Sequence, residues 1–152
     1  DKCHLFGLLD EDKYFKKGTE RLIVDYEGWK ICPMICYDLR FPVFARNDVD
    51  YHVLLFLANW PNPRIAAWDA LLKARAIENQ TYVIGLNRVG VDDFNAQYPG
   101  HSQVLDPEGD CISMAPEYEV GLVEVTLSKN HLMECRKRHP FLSDRDAFMI
   151  TD

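Results

Sequence analysis

A chain of 152 residues that is 47% hydrophobic can bury one sizeable core, so a single domain is expected and two would be cramped. A net charge of −7 argues against a general binder of nucleic acid or of anionic membranes, because either needs a cationic face to gain counterion-release energy. Five irregularly spaced cysteines without a CxxC pair suggest neither a disulfide framework nor a zinc ribbon, and they fit a reducing cytoplasm.

In chain order, RLIVDY (21–26) and WKICPMI (29–35) are strand-like runs joined by a short Glu-Gly turn, which predicts a β-hairpin whose second strand delivers Cys36. HVLLFLA (52–58) is unbroken apolar, as a strand buried on both faces would be, and NWPNP then turns the chain. From 64 to 79, Ile65, Trp68, Leu71, Leu72 and Ala76 recur at helical spacing and predict a helix covering a sheet. TYVIGLN (81–87) is the next strand, 88–100 a loop, and SQVLDPEGDCISM a hairpin about the DPEGD turn. GLVEVTL (121–127) reads as a last strand. Ser128 then caps a helix to about Arg138, before an irregular PFLSDRD tail. The class is α/β with a mixed, largely buried sheet. Met34, Phe56 and Tyr82 are core by position, and no apolar run approaches the ~18 residues of a membrane span.

The stretch ICPMICYDLRFP carries the chemistry. A cysteine where a strand passes into a turn can present its sulfur at the sheet end, with the next backbone N–H, that of Tyr37, aimed where an oxyanion would form. That geometry suits acyl transfer. Position alone also allows Cys36 to be a small buried hydrophobe, as mid-strand Cys32 is expected to be. Asp38 and Arg40, two apart near a turn, read as a structural ion pair. None of the five histidines stands out as a base, and spacing leaves a papain-like Cys-His pair open. Lys2 taken alone is a solvated terminal lysine. In an apolar pocket, the same residue could stabilise an oxyanion or hold a carboxylate.

The ordered blocks DKCHLF, EDKYFKKG, GWKICPMICYDLRFPVFARN, LANWPNPR, KARAIENQTYVIGLNRVG and RKRHPFLSDRD resemble the carbon-nitrogen hydrolase (nitrilase) superfamily, and within it the omega-amidases. The likeness runs along essentially the whole chain. It implies an α-β-β-α sandwich with mixed sheets, of which 1–152 would be the C-terminal portion of one domain. It also implies a Glu-Lys-Cys triad, in which Cys36 matches the nucleophile, Lys2 the lysine, and Glu11 a second glutamate that orients the triad. The general-base glutamate would lie upstream of Asp1, in keeping with a sequence that opens without methionine and without the form of a signal peptide. A fragment lacking that base is expected to be inactive alone, and loss of turnover would leave an interaction module. Cys3 stands where many relatives have Arg, so the pocket edge is expected to differ there.

The resemblance further implies a small-molecule amide substrate, a short 2-oxo dicarboxylic monoamide such as 2-oxoglutaramate, with another amidase or carbamoylase of the superfamily as the alternative. No metal or organic cofactor is implied. A homodimer or higher homo-oligomer is, with the tail around RKRHP in the contact. Trp60 is expected to wall the pocket, Arg64 or Arg88 to grip the substrate carboxylate, and Arg40 to be structural. Lys2 and the elbow are expected to lower the Cys36 pKa.

Overall fold

The structure is a computed structural model that describes residues 1–149; the last three positions of the expected 1–152 unit lie outside the described residues. β1 (Val24–Tyr26) and β2 (Trp29–Ile35) form the expected hairpin. Its turn places Glu27 at φ 47° and Gly28 at φ 79°, the left-handed pair whose twist matches that of the flanking strands. A 3-10 turn, Cys36–Arg40, and a short helix α1 (Pro42–Ala45) lead to β3 (Val53–Ala58). Helix α2 (Ile65–Asn79) and strand β4 (Tyr82–Asn87) follow as expected. After them, β7 (Gln103–Leu105) and β8 (Cys111–Met114) make the hairpin about DPEGD, with a register shift at Val104/Leu105. The strands form one six-stranded sheet in the order β1-β2-β3-β4-β7-β8. β2, β3 and β4 run parallel, with Met34 beside Phe56 and Phe56 beside Gly85.

Parallel neighbours need a crossover, and α2 supplies it between β3 and β4. Trp68, Leu72 and Ala76 on its inner stripe are fully buried with Cys32, Met34, Leu54, Phe56 and Val83. Gly85 marks the closest approach: a Cβ there would lie 2.5 Å from Leu72 Cδ1 and 2.8 Å from the Trp68 ring. Arg75, buried on the same helix, donates to the Leu39 carbonyl at 2.6 Å and pairs with Glu78 at 2.9 Å. That bond ties α2 to the turn that follows Cys36.

The other face of the sheet is covered at one end only. Helix α3 (Lys129–Arg138) starts at Ser128, whose Oγ accepts the His131 N–H at 3.2 Å, and it buries Leu132 against Val53 and Tyr82. Arg136 donates to the carbonyls of Gln80 and Tyr51, so it anchors the helix. Farther along, Leu57 and Leu86 remain 47% and 46% exposed. β3 is therefore buried on the α2 face and only partly on the other, where the sequence predicts burial on both. Two more expectations are corrected. The 88–100 loop contains a separate two-stranded sheet, β5 (Val89–Val91) with β6 (Gln97–Pro99). GLVEVTL forms no strand among the described residues: neither edge of the six-stranded sheet, β1 or β8, pairs with it, and Leu122 is 86% exposed. An alternating pattern becomes a strand only when a neighbour takes up its backbone groups. No helix among the described residues is long and apolar enough to cross a membrane.

Candidate active site

β2 ends in Ile35, and the chain turns at once through Cys36, which is held at φ 48°. A non-glycine residue in that region costs roughly 1–3 kcal/mol and persists only where its surroundings hold it. Asp38 does the holding. Its buried carboxylate accepts the Ile35 N–H at 3.0 Å, the His4 N–H at 2.8 Å and His4 Nδ1 at 2.9 Å, while the His4 ring stacks on Phe41 at 3.6 Å. The elbow and the segment bearing Lys2 are thereby pinned together. This corrects the expected Asp38–Arg40 pair: Arg40 is exposed and lies over the Trp60 ring at 4.9 Å, because the Ile35 N–H and the His4 N–H and ring already satisfy the carboxylate.

Lys2 is not a solvated terminal residue. Its Nζ contacts Glu11 Oε2, and the same oxygen accepts the Phe6 N–H at 2.8 Å. Glu11, at the start of a 3-10 turn (Glu11–Lys13), thus folds the loop back over Lys2. Cys3 does not edge this pocket. Successive side chains of an extended segment point opposite ways, and the buried Cys3 sulfur faces the carbonyls of Asp1 and Glu20 at 3.6 Å.

The electrostatics at Cys36 run against expectation. Burial pushes the thiol above its ordinary value; the Asn59 N–H and the Lys2 ammonium pull it down, and Glu11 and Asp38 push it up, leaving it raised overall. Desolvation of the thiolate outweighs the nearby cation. Cys36 thus rests as a thiol that needs a base, and among the described residues no histidine hydrogen-bonds to it; His4 is taken by Asp38. Cys32, fully buried, is raised by burial to about 11.

The carboxyl ends of β3 and β4 complete the arrangement, where parallel α/β sheets place their ligand loops. Trp60 is buried, packs on Trp68 at 5.6 Å, and donates its indole N–H to the Arg64 carbonyl at 2.7 Å. Asn87, the last residue of β4, accepts the Trp60 N–H at 2.7 Å and donates to the carbonyls of Trp60 and Gly100. Sequence reasoning missed His4 and Asn87. A histidine in an unassigned opening segment carries no signal, whereas an Asn ending a buried strand does. Arg64 lies over Phe6 at 5.5 Å and Arg88 over Tyr98 at 4.7 Å, both exposed. Lys2, Glu11, Cys36, Tyr37, Trp60, Arg64 and Arg88 all line one cleft of about 1610 Å³. Small-molecule sites hold roughly 300–1,000 Å³. The cleft extends along the sheet face at Leu57, Ile84 and Leu86 and is also lined by the 119–126 segment.

The chain resembles known proteins along almost its whole length. Residues 1–137 match the sequence family described as carbon-nitrogen hydrolase. The omega-amidase YafV of Escherichia coli is 47% identical over 150 residues, 99% of this chain and 59% of that protein. The 2-oxoglutaramate amidase of Bacillus subtilis is 37% identical over 145 residues, 94% of this chain and 55% of that protein. A crystal structure of a CN-hydrolase superfamily protein from Xanthomonas campestris, with an arsenic adduct in its active site, superposes with a TM-score of 0.96 at 44% identity, covering 99% of this chain and 60% of that one. The chain thus spans little more than half the length of the proteins it matches.

Proposed function

The chain belongs to the carbon-nitrogen hydrolase family, and from that membership we propose that it carries the nucleophile of an amidase that cleaves the terminal amide of a short 2-oxo dicarboxylic monoamide through a Cys36 thioester. The names of its relatives support an amide substrate. The observation that carries the reading is the strained Cys36 elbow, at φ 48°, in one cleft with the Lys2–Glu11 pair.

The Cys36 sulfur attacks the amide carbon while its proton passes to a carboxylate supplied by polypeptide preceding Asp1. The carbonyl oxygen, now negative, is held by Lys2 Nζ and the Tyr37 N–H, and Glu11 keeps the lysine in place. The nitrogen takes the proton and leaves as ammonia. Water then adds to the thioester, giving its proton to the same carboxylate. Collapse releases the acid and returns the proton to the sulfur. A raised thiol pKa fits this sequence, since proton removal is coupled to attack and does not precede it. Arg64 or Arg88 grips the distal carboxylate, and Trp60 closes the apolar side.

Two substitutions in the full-length protein test the reading by ammonia release. Cys36→Ala should lower turnover of 2-oxoglutaramate at least about a thousandfold. Arg64→Met or Arg88→Met should raise KM for that anion about tenfold and leave an uncharged short amide nearly unaffected. Equal loss on both amides would point to another branch of the family, such as a carbamoyl-amide hydrolase. Undiminished turnover in Cys36→Ala would overturn the mechanism.

A further inference from the structure

A second cluster of reactive side chains lies at the opposite end of the sheet. Leu105 of β7 pairs with Val83 near the start of β4, so the DPEGD turn after β7 sits at the amino ends of the parallel strands, away from Cys36. There α3 presents His131 and Cys135, one turn apart on the same face, toward Asp106 and Glu108 of the turn. The ligand atoms of Glu108, His131 and Cys135 all lie within 4.8 Å of one another. Cys135 Sγ is 3.6 Å from His131 Nε2, and His131 Nε2 is 3.5 Å from Asp106 Oδ2.

Those separations have a specific meaning. With zinc bonds of about 2.3 Å to sulfur and about 2.1 Å to nitrogen and oxygen, a tetrahedral centre spaces S and N about 3.6 Å apart, and N and O about 3.4 Å apart. The Cys135–His131 separation matches the first of these, and the Glu108 ligand atom lies within 4.8 Å of both. A residue pair at i and i+4 on a helix is a common way to offer two ligands to one ion. Asp106 fixes the turn that carries Glu108, its Oδ1 accepting the Glu108 and Asp110 N–H groups at 2.9 and 3.0 Å. Ser128 holds the start of α3 through the His131 N–H, and Arg138 pairs with Glu108 at 3.3 Å on the solvent side. The sulfur is buried, whereas Glu108 is exposed and His131 partly so, which gives an ion a way in.

We propose that Cys135, His131 and Glu108, with water in the fourth position, form a tetrahedral site for a zinc-class divalent cation that clamps α3 to the β7–β8 turn. Thiolate and imidazole favour zinc or cobalt over magnesium or calcium. On binding, the Cys135 S–H proton goes to solvent and the sulfur coordinates as thiolate; nothing is oxidised or reduced. The spacing escapes a sequence search because the turn and helix ligands are more than twenty positions apart and meet only through the fold.

Cobalt(II) titration of the full-length protein tests the site by absorption, independently of amide hydrolysis. The expected result is one cobalt per chain, with a thiolate-to-cobalt charge-transfer band and intense tetrahedral d–d bands, displaced by one equivalent of zinc. Cys135→Ser should abolish the charge-transfer band, and the exposed Glu108→Gln, which leaves the core untouched, should weaken binding at least about tenfold. Cys36→Ala and Cys111→Ser should keep the spectrum. No charge-transfer band in the folded protein, a band surviving in Cys135→Ser, unchanged affinity in Glu108→Gln, or a band lost in Cys36→Ala would each overturn the proposal.

Discussion

Cys36 and Cys32 are one strand's exit and its interior, four residues apart, and their surroundings separate them. Cys32 is sealed under α2 with its pKa pushed to about 11, whereas Cys36 is partly open and faces Lys2 and the Asn59 N–H. Iodoacetamide should therefore label Cys36 well before Cys32, as read by peptide mapping of the full-length protein. The pH dependence has a defined sign. The Lys2 cation favours the thiolate, so Lys2→Met should raise the thiol pKa, move the alkylation profile to higher pH and slow labelling at any fixed pH near neutrality. Cys32 labelled first, or a profile moved to lower pH, would remove Cys36 and Lys2 from the roles given them. Asp38 illustrates what a residue-level reading of sequence misses: its type and position beside Cys36 suggest a charge partner two residues on, but its partner is His4, thirty-four positions back.

Among the elements, the contact between β4 and α2 sets the site's floor, since it fixes where Asn87 and Trp60 emerge. Gly85→Val should drive a side chain into Leu72 and Trp68, costing about 1–3 kcal/mol. A lower urea midpoint at unchanged slope would register that loss, and an unchanged midpoint would show that α2 is free to move away. Elements whose partners are local or whose pattern is complete were legible in the sequence: the β1–β2 hairpin, α2 with its apolar stripe, the DPEGD hairpin and the capped α3 all lie where periodicity and turn chemistry put them. GLVEVTL departs from the expected strand because its pattern reports a tendency to pair and not the presence of a neighbour. β5 and β6 were missed because three-residue strands rich in Gly, Pro and Gln carry almost no pattern. The site followed the same rule: Cys36 stood out at its strand end, whereas the roles of Lys2 and Glu11 came from family likeness, since no local spacing links them.

At the scale of the whole molecule, one sheet face is half covered, the 119–126 segment pairs with nothing described, and the chain spans 59% of its E. coli relative. An apolar face and unpaired backbone of this kind favour association. Expressed alone, residues 1–152 should self-associate in sedimentation and bind a hydrophobic dye more strongly than the full-length protein does. A monomer with dye binding no greater than the full-length protein's would show that the face needs no further cover. The proposed cleavage through a covalent Cys36 acyl-enzyme is tested by acid-quenching the full-length protein during turnover of 2-oxoglutaramate and mapping its peptides by mass. The predicted result is an acyl adduct on the peptide containing Cys36, sensitive to hydroxylamine and absent from Cys36→Ala; an adduct on another residue, or turnover continuing in Cys36→Ala, would contradict it.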